Sequence, residues 1–114
     1  MALILAGQLN SKNSNKSYDK PEKTKYIESQ IYLWLAKIYE TQGRYNEAEP
    51  LLRLFMNKYP DDKEIAYAGY ALGQVLEKLG RHYDAANTYS GVSHGMWKEK
   101  ADKRLTELSS GAGL

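Results

Sequence analysis

The sequence predicts an all-α chain of two antiparallel helix–turn–helix pairs followed by a fifth helix, and three observations carry that reading. Apolar residues recur at spacings of three and four, and no stretch alternates at period two for long enough to make a strand. A glycine stands near each place where a helical pattern stops. The stretch GRYNEA, Gly43 to Ala48, returns as GRHYDA, Gly80 to Ala85, 37 residues later. At 114 residues the chain is the size of one domain with a single core.

Residues 1–21 stand apart as a short apolar segment and a polar linker or loop. The apolar run Ala2 to Leu9 has a core of about five residues, short of the ~7–15 that a secretory signal requires. Position 8, where a lipoprotein signal would want cysteine, is Gln8, so no targeting signal or membrane span is read here. Asn10 to Pro21, NSKNSNKSYDKP, is too polar to bury much. Its lysines, with Lys23 and Lys25, could touch acidic lipid or nucleic acid, but a solvated linker explains them better.

The first helix carries Ile27, Ile31, Leu35, Ile38 and Tyr39 at helical spacing, with Leu33 and Trp34 on a second face. A helix apolar on two faces is expected to lie between neighbours, with Trp34 buried. Gly43 stops it. The second helix is expected from about Asn46, with Asn46 and Glu49 as a variant capping box and Pro50 tolerated near its first turn. Leu51, Leu52, Leu54, Phe55, Met56 and Tyr59 carry it to Pro60.

Asp61, Asp62 and Glu64 suit the start of a third helix, where negative charge is favourable. That helix holds Ile65, Ala68, Leu72, Val75, Leu76 and Leu79 and ends at Gly80. A fourth is predicted from His82 to His94, with Ala85, Ala86, Tyr89 and Val92 inward and Gly95 as its stop. The fifth, Met96 to Ser109, has one apolar stripe, Trp97, Ala101, Leu105 and Leu108, and is otherwise charged, as befits a helix covering an end. The organisation is therefore 22–62 and 63–95 as two units, 96–109 as a covering helix and 110–114 as a frayed tail.

Composition narrows the function classes. Without cysteine there is no disulfide, thiolate metal site or cysteine nucleophile. A net charge of +2 is too balanced for a nucleic-acid footprint. His82 and His94 have no carboxylate cluster at ligand spacing, so no catalytic or metal site and no cofactor is expected. Ten tyrosines against one phenylalanine favour half-buried surfaces with polar tips.

At an offset of 37, Leu35 meets Leu72, Ile38 meets Val75, Glu40 meets Glu77, Ala48 meets Ala85, Leu52 meets Tyr89 and Phe55 meets Val92. Tyr32, Leu35, Ala36, Tyr39, Ala48, Leu52 and Pro60 keep the spacing of the tetratricopeptide repeat, and the chain resembles that family. The second unit offers Leu72, Gly73, Ala85 and Tyr89, but departs with Gly69 and Leu76 in the aromatic slots and Trp97 where proline would fall. The resemblance spans about Ser29 to Gly95. It implies a short right-handed solenoid with a C-terminal capping helix and a non-catalytic role in binding a protein or peptide. NKYPDDKEIAYAGYALGQ is similar to the bacterial envelope branch of the family, which implies a soluble chain in the periplasm or in a membrane-associated complex.

The family's groove, carried onto this sequence, falls on Gln30, Leu33, Lys37, Glu40 and Thr41 of the first unit. In the second it falls on Tyr67, Tyr70, Gln74, Glu77 and Lys78. Only Lys37 matches the set that grips chaperone C-terminal carboxylates, so that use is not expected. Leu33, Tyr67 and Tyr70 bordered by charges suit an extended or helical peptide, though the tyrosines could equally cover a neighbouring helix. A second candidate is the N-terminal edge at Tyr26, Ile27 and Trp34. Two units are fewer than the roughly three that a stable stack needs. The apolar run Ala2–Leu9, a second copy making a homo-oligomer, or a missing part of a parent protein could cover that edge.

Overall fold

The computed structural model describes residues 22–111. Five helices follow in order: α1 Glu22–Thr41, α2 Tyr45–Lys58, α3 Ile65–Lys78, α4 His82–Ser90 and α5 Gly95–Gly111. Each packs on the next, and α5 returns to touch α3 as well, which leaves α3 surrounded by α2, α4 and α5. The described residues contain no strand, and no described helix is long and apolar enough to cross a membrane. The run Ala2–Leu9, the linker Asn10–Pro21 and residues 112–114 lie outside the described residues.

The duplicated hexapeptide is a duplicated turn. Gly43 and Gly80 take φ of 74° and 79°, the left-handed region where a Cβ is disfavoured. Around Gly43 the amide of Arg44 donates to Tyr39 O at 2.8 Å and that of Gly43 to Glu40 O at 3.0 Å. Around Gly80 the amide of Arg81 donates to Leu76 O and that of Gly80 to Glu77 O, each at 2.9 Å. Both are Schellman endings that satisfy the last carbonyls of a helix. Each arginine then ion-pairs with an acid in the first turn of the following helix, Arg44 with Glu47 and Arg81 with Asp84. Backbone, glycine and ion pair thus repeat together at the offset of 37.

Small side chains let the paired helices approach. Ala36, Ala48, Ala68 and Ala85 are fully buried. At Gly73 the Tyr89 ring lies so close that a Cβ would stand 2.4 Å from its Cε1. Leu52, Phe55, Val75, Leu76 and Tyr89 fill the space between. Ala101 and Leu108 of α5 are buried, with Trp97 and Leu105 packed against the same core, so the α5 stripe lies where the sequence puts it.

Three local expectations are corrected. α1 meets the rest of the chain through Ser29, Leu33 and Ala36, while Ile27, Ile31, Leu35 and Ile38 are exposed and Trp34 is 61% exposed. Its two apolar faces are real, but only one is filled by the described residues. α2 begins at Tyr45, and no side chain caps it. Asn46 is already inside the helix, and the Glu49 carboxylate is drawn to Arg53 and Arg81 instead. α4 ends at Ser90, short of His94, because the chain turns at Gly91, whose amide donates to Thr88 O at 3.1 Å. Gly95 therefore opens α5, with φ of 71°, and α5 continues through Gly111 past the expected end at Ser109.

Candidate binding groove between the first and third helices

α1 and α3 are the first helices of their pairs, and their C-terminal halves border a cleft of about 210 Å³ lined by Lys37, Glu40, Thr41, Tyr45, Gln74, Val75 and Lys78. Five of the sequence-derived groove residues, Lys37, Glu40, Thr41, Gln74 and Lys78, meet here. The offset of 37 places them: Lys37 corresponds to Gln74, and Thr41 to Lys78.

Glu40 is the chemically unusual member. Its Oε2 is buried and has no hydrogen-bond partner among the described residues. Burial pushes its carboxyl above the usual range, and the Lys37 charge only partly offsets that. Gln30 Nε2, three turns earlier on α1, is likewise buried without a partner. Glu40 also acts on Tyr67, whose phenol is pushed up by burial first and then by the charges of Glu40 and Glu64.

Tyr67 and Tyr70 are engaged by α5. Trp97 packs edge-on to Tyr67 at 5.1 Å between centroids and tilted on Tyr70 at 5.3 Å, and Tyr70 leans on Tyr89 at 5.7 Å. Both tyrosines stay partly accessible, and Gln74 Nε2 donates to Tyr70 Oη at 3.2 Å, tying the aromatic cluster to the cleft. Leu33 is a correction: at 6% exposure it belongs to the core, because α1 turns that side toward α2. Glu77 is another. Its carboxylate accepts from Tyr89 Oη at 2.5 Å and from Arg104 Nε at 3.0 Å, so it is occupied internally.

The edge residues Tyr26, Ile27 and Trp34 are exposed at 50%, 47% and 61%. Ile27 and Trp34 lie on the side of α1 away from α2, while Tyr26 borders residues 58–63 with Lys63 over its ring. His82 and His94 are both exposed, and Ser93 Oγ sits 3.1 Å from His94 Nδ1. No group of three metal-ligating residues is gathered among the described residues.

Sequence reasoning missed a larger cavity. About 390 Å³ opens between α2 and α4 above α3, with Met56, Gly69, Leu72 and Val92 as apolar lining and Arg53, Asn57, Asn87 and His94 among its polar residues. Its signal was Gly69, where the first unit has Tyr32; with no side chain on α3 there, Val92 closes in at that position beside the cavity. A Cβ there would stand 3.1 Å from Val92 Cγ2.

No curated protein and no solved structure matches the chain. Residues 29–69, from the middle of α1 through α2 into α3, match the tetratricopeptide repeat family. The first helical pair, its Schellman turn and its small-residue contacts lie within or beside the matched stretch, and that part of the chain is similar to a tetratricopeptide repeat.

Proposed function

We propose that the chain is a non-catalytic scaffold that binds a peptide or protein segment in the cleft between α1 and α3. Repeats of this family generally mediate protein–protein interaction and are typically non-catalytic. The observation that supports this site is the meeting of Lys37, Glu40, Gln74 and Lys78 around a buried carboxylate oxygen that no described donor satisfies. An unmatched buried acceptor costs free energy that a partner's N–H recovers on binding. Two lysines beside it favour a segment that also carries an acidic group.

The test is selection from a phage-displayed pool of random dodecapeptides. Selected peptides are expected to shift amide resonances of α1 and α3 and to lose binding to the Lys37→Glu, Lys78→Glu double variant. Binding untouched by that variant removes the cleft from consideration. A second reading, self-assembly through the N-terminal edge, is favoured by the exposed apolar side of α1.

A further inference from the structure

We propose that the outward side of α1 is a seam for a second copy of this chain, the two α1 helices packing antiparallel. This rests on the second reading above and specifies its geometry. Ile27, Ile31, Trp34 and Ile38 succeed one another at spacings of four, three and four, the narrow stripe that one helix offers another. They are exposed at 47%, 50%, 61% and 49%, and Leu35 at 37% widens the strip.

At about 100° per residue this seam lies on the side of α1 opposite Ser29 and Ala36, its fully buried contacts. α1 gives Ser29, Leu33 and Ala36 to its own core and leaves four large apolar side chains of the seam outside. No charged residue falls within the seam from Ile27 to Ile38; Lys23 and Lys37 stand beside it. An uninterrupted apolar strip of this kind is what a helix surface keeps for a partner.

Area and length select the occupant. The five side chains expose on the order of 500 Å² per copy, given the area that large side chains carry. A pair then buries up to roughly 1,000 Å², the least that a specific interface clears. The apolar run Ala2–Leu9 is eight residues, about 12 Å as a helix against about 17 Å from Ile27 to Ile38, and would leave part of the seam bare. Antiparallel packing sets Ile31 against Trp34 of the partner subunit and Ile27 against Ile38 of the partner subunit, so each indole lies beside an isoleucine. A parallel pair would force two indoles into one layer, a poorer fit at constant volume.

Light scattering on the full chain, from about 1 mM to about 1 µM, is the first test, since that range brackets weak to moderate pairing. The expected mass is twice 13.0 kDa at the top, falling toward 13.0 kDa on dilution. The Ile31→Glu, Ile38→Glu double variant, altered only on the exposed face, is expected to keep its helical melt and remain at the single-chain mass. A native mass of one chain throughout, as an occupant from within the chain would give, or a paired mass in the double variant, overturns the proposal. Because the chain has no cysteine, Ile27→Cys chains mixed with Ile38→Cys chains are expected to cross-link on mild oxidation. Cross-linking of Ile27→Cys chains with themselves, and not with the Ile38→Cys chains, overturns the antiparallel arrangement. The peptide selection on the cleft stands or falls apart from these masses.

Discussion

Arg104 on α5 reaches back 27 residues to Glu77 on α3 and holds both oxygens of its carboxylate, with Nε 3.0 Å from Oε2. Tyr89 of α4 donates to the same Oε2, so one acid fastens three helices. Burial alone would push the Glu77 carboxyl up, but the hydrogen bonds from Arg104 and Tyr89 prevail and hold it below the usual range. Glu77→Gln is expected to cost about 1–3 kcal/mol in urea melts, typical for bonds to a charged acceptor. In a double-mutant cycle with Arg104→Ala the two losses should fall short of additivity. Simple additivity would mean the contact is incidental.

Acid should unfasten this contact. A carboxyl whose folded pKa lies below its unfolded value gives stability that is complete above the unfolded value, ~4.3, and lost as pH falls through the folded one. Urea midpoints measured between about pH 3 and 7 are expected to fall on the acid side for the native chain and to fall less for Glu77→Gln. Parallel curves would separate Glu77 from the acid response.

Glu40 is the counterpart of Glu77 in the first unit and behaves in the opposite way. Its folded pKa is raised, so the folded chain holds the proton longer, and the contribution of this group declines as pH rises through the folded value. Glu40→Met, which removes the buried unpartnered oxygen, is expected to raise stability at neutral pH by up to about 1 kcal/mol. The same substitution should weaken binding of cleft-selected peptides. A less stable variant would show that the carboxylate is better satisfied than its surroundings imply.

Two glycines fail for different reasons when given a side chain. Gly73→Ala drives a Cβ into the buried Tyr89 ring and is expected to cost at least ~2 kcal/mol despite alanine's better helix propensity. At Gly43 nothing lies within 4 Å of an added Cβ, yet φ is 74°. Gly43→Val should therefore cost about 1–2 kcal/mol from the backbone alone. Shrinking the ring with Tyr89→Leu should lessen the cost at Gly73 and leave the cost at Gly43 unchanged; equal response at both would refute the distinction.

Trp34→Ala is expected to change the melting of the isolated chain by no more than ~0.5 kcal/mol, as for an exposed site. Phe55→Ala, at a fully buried ring, should cost about 3–5 kcal/mol. Thermal melts of the two variants at micromolar concentration make the comparison, and a large loss at Trp34 would mean that something within the chain covers it.

The repeat was legible because its signals are local. A left-handed glycine, an arginine and an acid three residues on define a turn without reference to anything distant, and Gly43–Glu47 and Gly80–Asp84 are written in the chain as they fold. The inward stripe of α5 was legible for the same reason. What stayed hidden was which apolar side of α1 meets the core. Ser29 and Ala36 mark it by being small, whereas hydrophobicity alone points to Ile27 and Trp34. Glu77 was hidden because Arg104 is remote in sequence, and identical acids at the offset of 37 concealed opposite surroundings. In the cleft, spacing put Lys37, Glu40, Gln74 and Lys78 on one shared lining, while Leu33 needed the direction of α2 to be known.

The Trp97 contacts with Tyr67 and Tyr70, together with the Arg104 grip on Glu77, seat α5 firmly against α3. The outer side of α5 is dominated by charge, with Lys98, Glu99, Lys100, Asp102 and Lys103 all exposed. A rod with one sticky end and one sealed end can join to its like only once. Repeats open at both ends run on into fibres; the pairing proposed for α1 would stop growth at two.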